Sequence, residues 1–110
     1  MQVKIGNEIY PTEVMSSPED TKKGMRGRKN LDGCMLFKLK KGYHSFYMKD
    51  CLIPLDIIFV SNNKITSIHL NCEPCQDECK HYHGFGDYVI EFMSNENRKL
   101  NIGDIVQFLN

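Results

Sequence analysis

Apolar residues along this 110-residue chain recur mainly at every second position, the period of strands whose side chains point alternately to opposite faces. Val3-Lys4-Ile5 and Glu8-Ile9-Tyr10 flank Gly6-Asn7, two residues that tolerate the positive φ of a two-residue turn, and together they predict a hairpin. Pro11 has no N–H to give to a ladder, so Thr12 to Met15 is expected to bend or to lie at an edge. Further strands are expected near Cys34–Leu39, Ser45–Lys49, Leu55–Val60, Lys64–Leu70, Tyr88–Met93 and Ile105–Leu109, with Asn62-Asn63 closing a tight hairpin. The stripe Phe46, Met48, Ile57, Phe59, Ile90 and Phe92 keeps strand spacing and is read as core.

One segment departs from this period. Ser17-Pro18-Glu19-Asp20 supplies a capping hydroxyl, a proline at the first helical position and early negative charge, so a short helix is expected from about Pro18 to Lys23, ended by Gly24. Asn71 to Gly86 reads as the one long irregular segment. The expected fold is therefore mainly β, a compact antiparallel sandwich or barrel with one short α-helix near residues 18–24. The length is that of one domain, residues 1–110.

Fourteen basic and fourteen acidic residues balance, which removes the electrostatic footprint of a general nucleic-acid or membrane-surface binder. Lys22, Lys23, Arg26, Arg28 and Lys29 cluster within eight residues, and Lys38, Lys40 and Lys41 follow. Without interleaved aromatics the first cluster reads as a solvated face. No apolar run approaches the roughly 20 residues that span a bilayer, so no membrane span is expected. Met1-Gln2-Val3-Lys4-Ile5 lacks the cationic stretch and apolar run of a secretory signal, from which a cytoplasmic location is expected.

Candidate chemistry concentrates in two places. In residues 46–59, two β-prone runs flank a polar turn, and Lys49, Asp50 and Asp56 are expected to share a rim with Arg28 and Glu91. Such a rim would bind an anionic group through Lys49 and Arg28 while Asp56 or Glu91 orients it or moves a proton. The competing reading has Asp56 capping loop N–H groups and the cations pairing with carboxylates, and it is the favoured one. In either case Asp56 is expected at a partly buried position within reach of Lys49, Arg28 or loop N–H groups.

The second place is Cys72-x-x-Cys75-x-x-x-Cys79, with His69, His81 and His83 nearby. These spacings suit thiolates around a zinc ion completed by a histidine, but no second knuckle supplies the usual other ligand pair. A structural loop, reduced or stapled by a disulfide, is the simpler reading, and Cys75 and Cys79 are expected to be close whatever their redox state. Cys34 and Cys51 sit in apolar strand contexts and read as small buried hydrophobes. No phosphate loop, dinucleotide fingerprint, helical zinc motif or nucleophile elbow is present, and His44 reads as a strand-end residue.

Several short motifs occur in an order that resembles a known family. Phe46-Tyr47-Met48-Lys49-Asp50-Cys51 followed by Pro54-Leu55-Asp56 resembles an aromatic pair, Met-Lys-Asn-Thr and Pro-Leu-Asp. Upstream, Gly24-Met25-Arg26-Gly27-Arg28 and Gly33-Cys34-Met35-Leu36-Phe37 resemble Gly-Leu-Met-x-Arg and Gly-Met-Leu-Phe. Downstream, Pro74-Cys75, Cys79, Tyr82, Val89-Ile90-Glu91 and Gly103-Asp104 complete the set. The family is domain-of-unknown-function family 192, whose role is not settled. The chain departs from its pattern at Tyr47, Asp50, Cys51 and Arg26. The resemblance implies that only Cys75 and Cys79 of the cysteine cluster belong to the shared pattern, and that many relatives are exported.

The function expected from these readings is a non-catalytic accessory or binding module whose polar rim takes a small polar ligand, a glycan or a protein. The alternatives are a small enzyme, either hydrolase-like at Asp56 with a basic partner or using thiol or metal chemistry at Cys72, Cys75 and Cys79, and a purely structural module. No cofactor is expected, with zinc at the Cys72 to Cys79 loop the exception to consider.

Overall fold

A computed structural model describes residues 1–110. The elements in chain order are β1 (Gln2–Ile5), β2 (Glu8–Met15), α1 (Pro18–Lys23), β3 (Cys34–Phe46), β4 (Leu55–Ser61), β5 (Lys64–Cys72), β6 (Tyr82–Met93) and β7 (Val106–Leu109). The molecule is mainly β with one short helix, as the alternation of the sequence predicts.

Turn chemistry sets the two tight hairpins. Ile5 pairs with Glu8 across Gly6, which takes a φ of 60°. Ser61 pairs with Lys64 across Asn62 and Asn63, at φ 53° and 60°, the left-handed geometry that asparagine tolerates best among residues with a side chain. In α1 the Ser17 hydroxyl accepts from the Asp20 N–H at 3.0 Å, Pro18 occupies the first turn, and Gly24 ends the helix at a φ of 45°.

Pro11 marks a change of partner. Up to Pro11, β2 pairs antiparallel with β1, whereas Thr12–Met15 run parallel to Cys34–Phe37 of β3. A residue with no N–H is tolerated at that seam, so the strand bends there as expected. Gly33, just before β3, makes the crossing feasible. A Cβ at this position would lie 2.0 Å from the Pro11 carbonyl oxygen, and its φ of 69° is one that glycine adopts freely.

Two expected boundaries differ. Cys34–Leu39 and Ser45–Lys49 are not separate strands: β3 is continuous to Phe46, with a register shift between Lys38 and Gly42. The polar Lys-Lys-Gly segment reads as a break in the sequence, yet both halves keep β6 as partner, so the break becomes a bulge. Met48 and Lys49 lie beyond it in a turn. The irregular segment is also shorter than Asn71 to Gly86, because β5 extends to Cys72 and β6 begins at Tyr82.

The seven strands form one sheet in the order β5-β4-β6-β3-β2-β1-β7, antiparallel except for β2 and β3. The sheet curls until its two ends meet. Ile105 bridges Lys64, the Ile65 N–H donates to the Asp104 carbonyl at 3.0 Å, and the Val106 N–H donates to the Asn63 carbonyl at 2.8 Å. The result is a barrel-like half-closed shell.

Both faces of the central strands are covered. Val3, Ile5, Cys34, Leu36, Ile58, Val60, Ile90, Phe92 and Val106 fill the inside of the curl. Met35, Phe37, Ile57, Phe59 and Val89 face outward and are covered by Met25 and Leu31 from the segment after α1, by Met48 and Cys51 from the turn after β3, and by Cys72. The predicted apolar stripe is therefore divided: Phe46, Met48, Ile57 and Phe59 belong to the outer cluster, Ile90 and Phe92 to the inner one.

Candidate functional site

The outer cover is incomplete over β6. Strand alternation places Glu91 on the same face as Val89, between its cross-strand neighbours Met35 of β3 and Ile57 of β4. Its immediate neighbours there, Val89, Met35 and Ile57, are all apolar and buried, and it is itself only 5 % exposed. No protein group donates to or accepts from its carboxyl. What exposure it retains is toward a cleft of about 300 Å³ that it floors.

Three pieces of chain build that cleft. The C-terminal turn of α1 and the residues after it form one wall, Phe37, Leu39 and His44–Tyr47 of β3 and its end form the opposite wall, and Lys49 with Cys51 close one end. Met25, Phe37, Leu39 and Phe46 give the interior its apolar surface, with the Phe37 and Phe46 rings edge to face at 5.1 Å. Arg26 spans the walls: its Nη2 donates to the Tyr47 hydroxyl at 2.9 Å, and its guanidinium lies 5.7 Å from that ring's centre.

Backbone bonds hold the closing turn in place. Arg26 bridges Cys51, and the Gly27 N–H donates to the Asp50 carbonyl at 3.0 Å. From the other side the Asp50 N–H donates to the Cys75 carbonyl and the Cys75 N–H to the Met48 carbonyl, at 3.1 and 3.2 Å. Cys75 is joined to Cys79 by a disulfide with Cα atoms 5.5 Å apart, so the stapled loop supports the turn that carries Lys49.

Electrostatics divide the cleft into a charged mouth and a neutral floor. Lys22, Lys23, Arg26 and Lys49 line it, and none of them belongs to either ion pair of the chain. Burial alone raises the Glu91 carboxyl from 4.5 to about 8, so at neutral pH it is mostly protonated and presents an O–H donor. Burial likewise pushes the Cys51 thiol up to about 11, with the nearby Glu91 adding to the rise. Such a thiol is a poor nucleophile.

The other residues singled out in the sequence are distributed differently. Arg28 does not meet Asp56. It pairs with Glu13 through two bonds of 2.6 and 2.8 Å, which lower the Glu13 carboxyl and raise the guanidinium, because β2 runs beside the segment after α1. Lys49 reaches the cleft, whereas the Asp50 side chain lies on the exposed turn, at a φ of 62°.

Asp56 is more buried than the rim position expected, at 1 % exposed, and neither Lys49 nor Arg28 is its partner. Its carboxylate accepts from the Asn71 N–H at 2.9 Å, the Asn95 N–H at 3.4 Å and Arg98 Nη1 at 3.0 Å. Arg98 also donates to the Met93 carbonyl and lies over the Phe92 ring at 4.1 Å. The arrangement ties the start of β4 to the end of β5 and the loop after β6. Loop capping is thus what Asp56 does, and the shared rim of Asp56, Lys49, Arg28 and Glu91 does not form.

The cysteine and histidine candidates are not one ligand set. Cys75 and Cys79 are bonded to each other, buried Cys72 lies with its thiol 3.5 Å from the His69 carbonyl, and His69 Nε2 meets the His83 carbonyl at 2.8 Å. His81 lies beside Ser45, between the Tyr47 and His83 rings. No group of three or more His, Cys, Asp or Glu side chains converges as a metal site would require. The Cys34 and Cys72 thiols are each raised to about 11, chiefly by burial.

Sequence reasoning named Glu91 and Lys49 but missed Arg98 and the contributions of Lys22, Lys23 and Arg26 to the cleft. The usable signal was Glu91 itself, a charged residue within Val89-Ile90-Glu91-Phe92-Met93. The cations carried no such signal, since any short helix ends well with lysines.

Similar proteins give the fold a family. A crystal structure of a protein of unknown function from Novosphingobium aromaticivorans superposes with a TM-score of 0.85 at 24 % identity, covering 97 % of this chain and 84 % of that one. A candidate transcription regulator from Sinorhizobium meliloti superposes at 0.86 with 21 % identity, covering 96 % and 91 %. At such identities the likeness is one of fold. No curated protein matches the sequence. No helix is long and apolar enough to cross a membrane. The family model described as an uncharacterized ACR matches residues 1–108, nearly the whole chain, and the chain belongs to domain-of-unknown-function family 192.

Proposed function

We propose that this domain is a non-catalytic binding module that takes a small molecule into the cleft over Glu91. The observation that carries the reading is a carboxyl group placed without a protein partner at the floor of an apolar recess. Burying such a group unpaired costs on the order of 1–3 kcal/mol, and no hydrogen bond or ion pair within the fold offsets it. A recess lined by apolar side chains with a few convergent polar groups is what a ligand site requires. Structural carboxylates look different, as Asp56 with its three donors demonstrates.

Binding is favoured over catalysis because the nucleophile candidates are engaged or suppressed. Cys75 and Cys79 form a disulfide, the Cys51 thiol is raised, and the Asp56 carboxylate is held by Arg98 and two N–H groups. A mixed library of neutral, cationic and anionic fragments, screened by amide chemical shifts, tests the reading. Saturable shifts at Met25, Phe37, Phe46, Cys51 and Glu91, weakened in Glu91→Leu, are expected. If no fragment of any charge moves those residues, the binding role fails.

A further inference from the structure

We infer that the ligand of this cleft is an organic anion: its charged end lies among Lys22, Lys23, Arg26 and Lys49, and a group on its apolar body accepts a hydrogen bond from the Glu91 carboxyl. The inference rests on the binding role just proposed and adds the chemical class.

Charge distribution is the first ground. The whole chain balances fourteen cations against fourteen anions, yet this recess is lined by four cations and one acid. Both ion pairs of the molecule lie elsewhere, Arg28 with Glu13 and Arg98 with Asp56, so none of the four cations is engaged in an ion pair. A concave, low-dielectric surface with one sign of charge raises the local concentration of the opposite charge. A cationic ligand would meet repulsion at the mouth and, at neutral pH, no carboxylate at the floor to offset it.

The apolar middle is the second ground. Met25, Phe37, Leu39 and Phe46 line the same recess as the cations and Glu91, so a bare inorganic ion held by the cations would leave them uncovered. An anion with an aromatic or aliphatic body covers that surface and reaches the floor. There the buried Glu91 group, unpaired in the protein and 95 % removed from solvent, finds the acceptor it lacks. A carboxylate and a phosphate head share this chemistry, and Arg26 and three lysines accommodate either.

A matched series sharing one body isolates charge. Titrations by calorimetry would compare 4-hydroxyphenylacetate, 2-(4-hydroxyphenyl)ethanol and tyramine, with phenyl phosphate and inorganic phosphate as additional arms. The carboxylate is expected to bind at least about tenfold more tightly than the neutral alcohol, with the amine weakest. The relative affinity of phenyl phosphate then assigns the head group, and inorganic phosphate binding more weakly than phenyl phosphate supports the role of the apolar body. Lys23→Glu combined with Lys49→Glu should abolish the preference for the anion. Glu91→Gln, which keeps a donor, should bind within about threefold of the parent, whereas Glu91→Leu should lose about tenfold.

Salt dependence keeps the question answerable if the double variant does not fold, since added sodium chloride should weaken the anion and leave the alcohol unaffected. An alcohol or amine that binds at the cleft as tightly as the anion overturns the inference and leaves the binding role standing. Inorganic phosphate matching phenyl phosphate overturns the part assigned to the apolar body. Failure of every fragment of any charge removes both.

Discussion

Glu91 and Asp56 are the two buried acids of this chain, and they differ in every respect that decides a role. Asp56 is satisfied by two backbone N–H groups and Arg98, and the pair is worth keeping mainly because breaking it strands the partner. Asp56→Asn, which keeps the shape and removes the charge, is expected to lose about 1 to 3 kcal/mol in urea unfolding. Glu91 behaves in the opposite way. Its folded value of about 8 lies above the ordinary 4.5, so the folded state holds the proton more tightly. Its contribution to stability is complete below about pH 4.5 and is lost as pH rises through 8. Glu91→Gln should therefore flatten the fall in melting temperature over that window and raise stability at pH 8 and above, read from melts at several pH values.

At the scale of elements, the turn after β3 depends on its neighbours more than on its own residues. Residues 48–51 contain no regular structure of their own, and they are held by Arg26 and Gly27 on one side and by Cys75 on the other. Reducing the Cys75–Cys79 disulfide, or replacing both cysteines by serine, should speed hydrogen exchange at Asp50 and Cys51 while β4 and β6 stay protected. The accompanying loss of global stability should be about 2 kcal/mol or less, because the closed loop is short. Pro11 with Gly33 gives a second case. There a proline lacking a donor and a glycine lacking a Cβ permit β2 to leave β1 and run parallel to β3.

For the whole molecule, the curl of the sheet makes its ends interdependent. β1 and β7 lie near the two chain termini, yet Val3, Ile5 and Val106 complete the interior with Leu36, Ile58 and Ile90 from the middle strands. Ile5→Ala is expected to destabilise by about 2 to 4 kcal/mol despite its position near the N-terminus. Fluorescence and circular dichroism should still report a single coincident transition in urea, because one sheet contributes to both apolar clusters. Two separated transitions would show that the outer cover and the inner core unfold independently.

Local chemistry made much of the fold legible. Period-two alternation, the Gly6-Asn7 and Asn62-Asn63 turns and the Ser17-Pro18 cap are written in residues adjacent along the chain, so the β class, the helix and most strands follow from the sequence. The proximity of Cys75 and Cys79 is similarly local, four residues apart. The candidate site was legible only in part. Glu91 stands out within its apolar strand and Lys49 within its turn, but whether Asp56 meets Arg28 or Arg98 depends on which loops the curled sheet brings together across 28 or 42 residues. Alternation assigns a side chain to a face, but not the element that will cover it. Only the tertiary structure decided that α1 and the turn after β3 would leave a cleft reaching the buried Glu91, with four cations lining it.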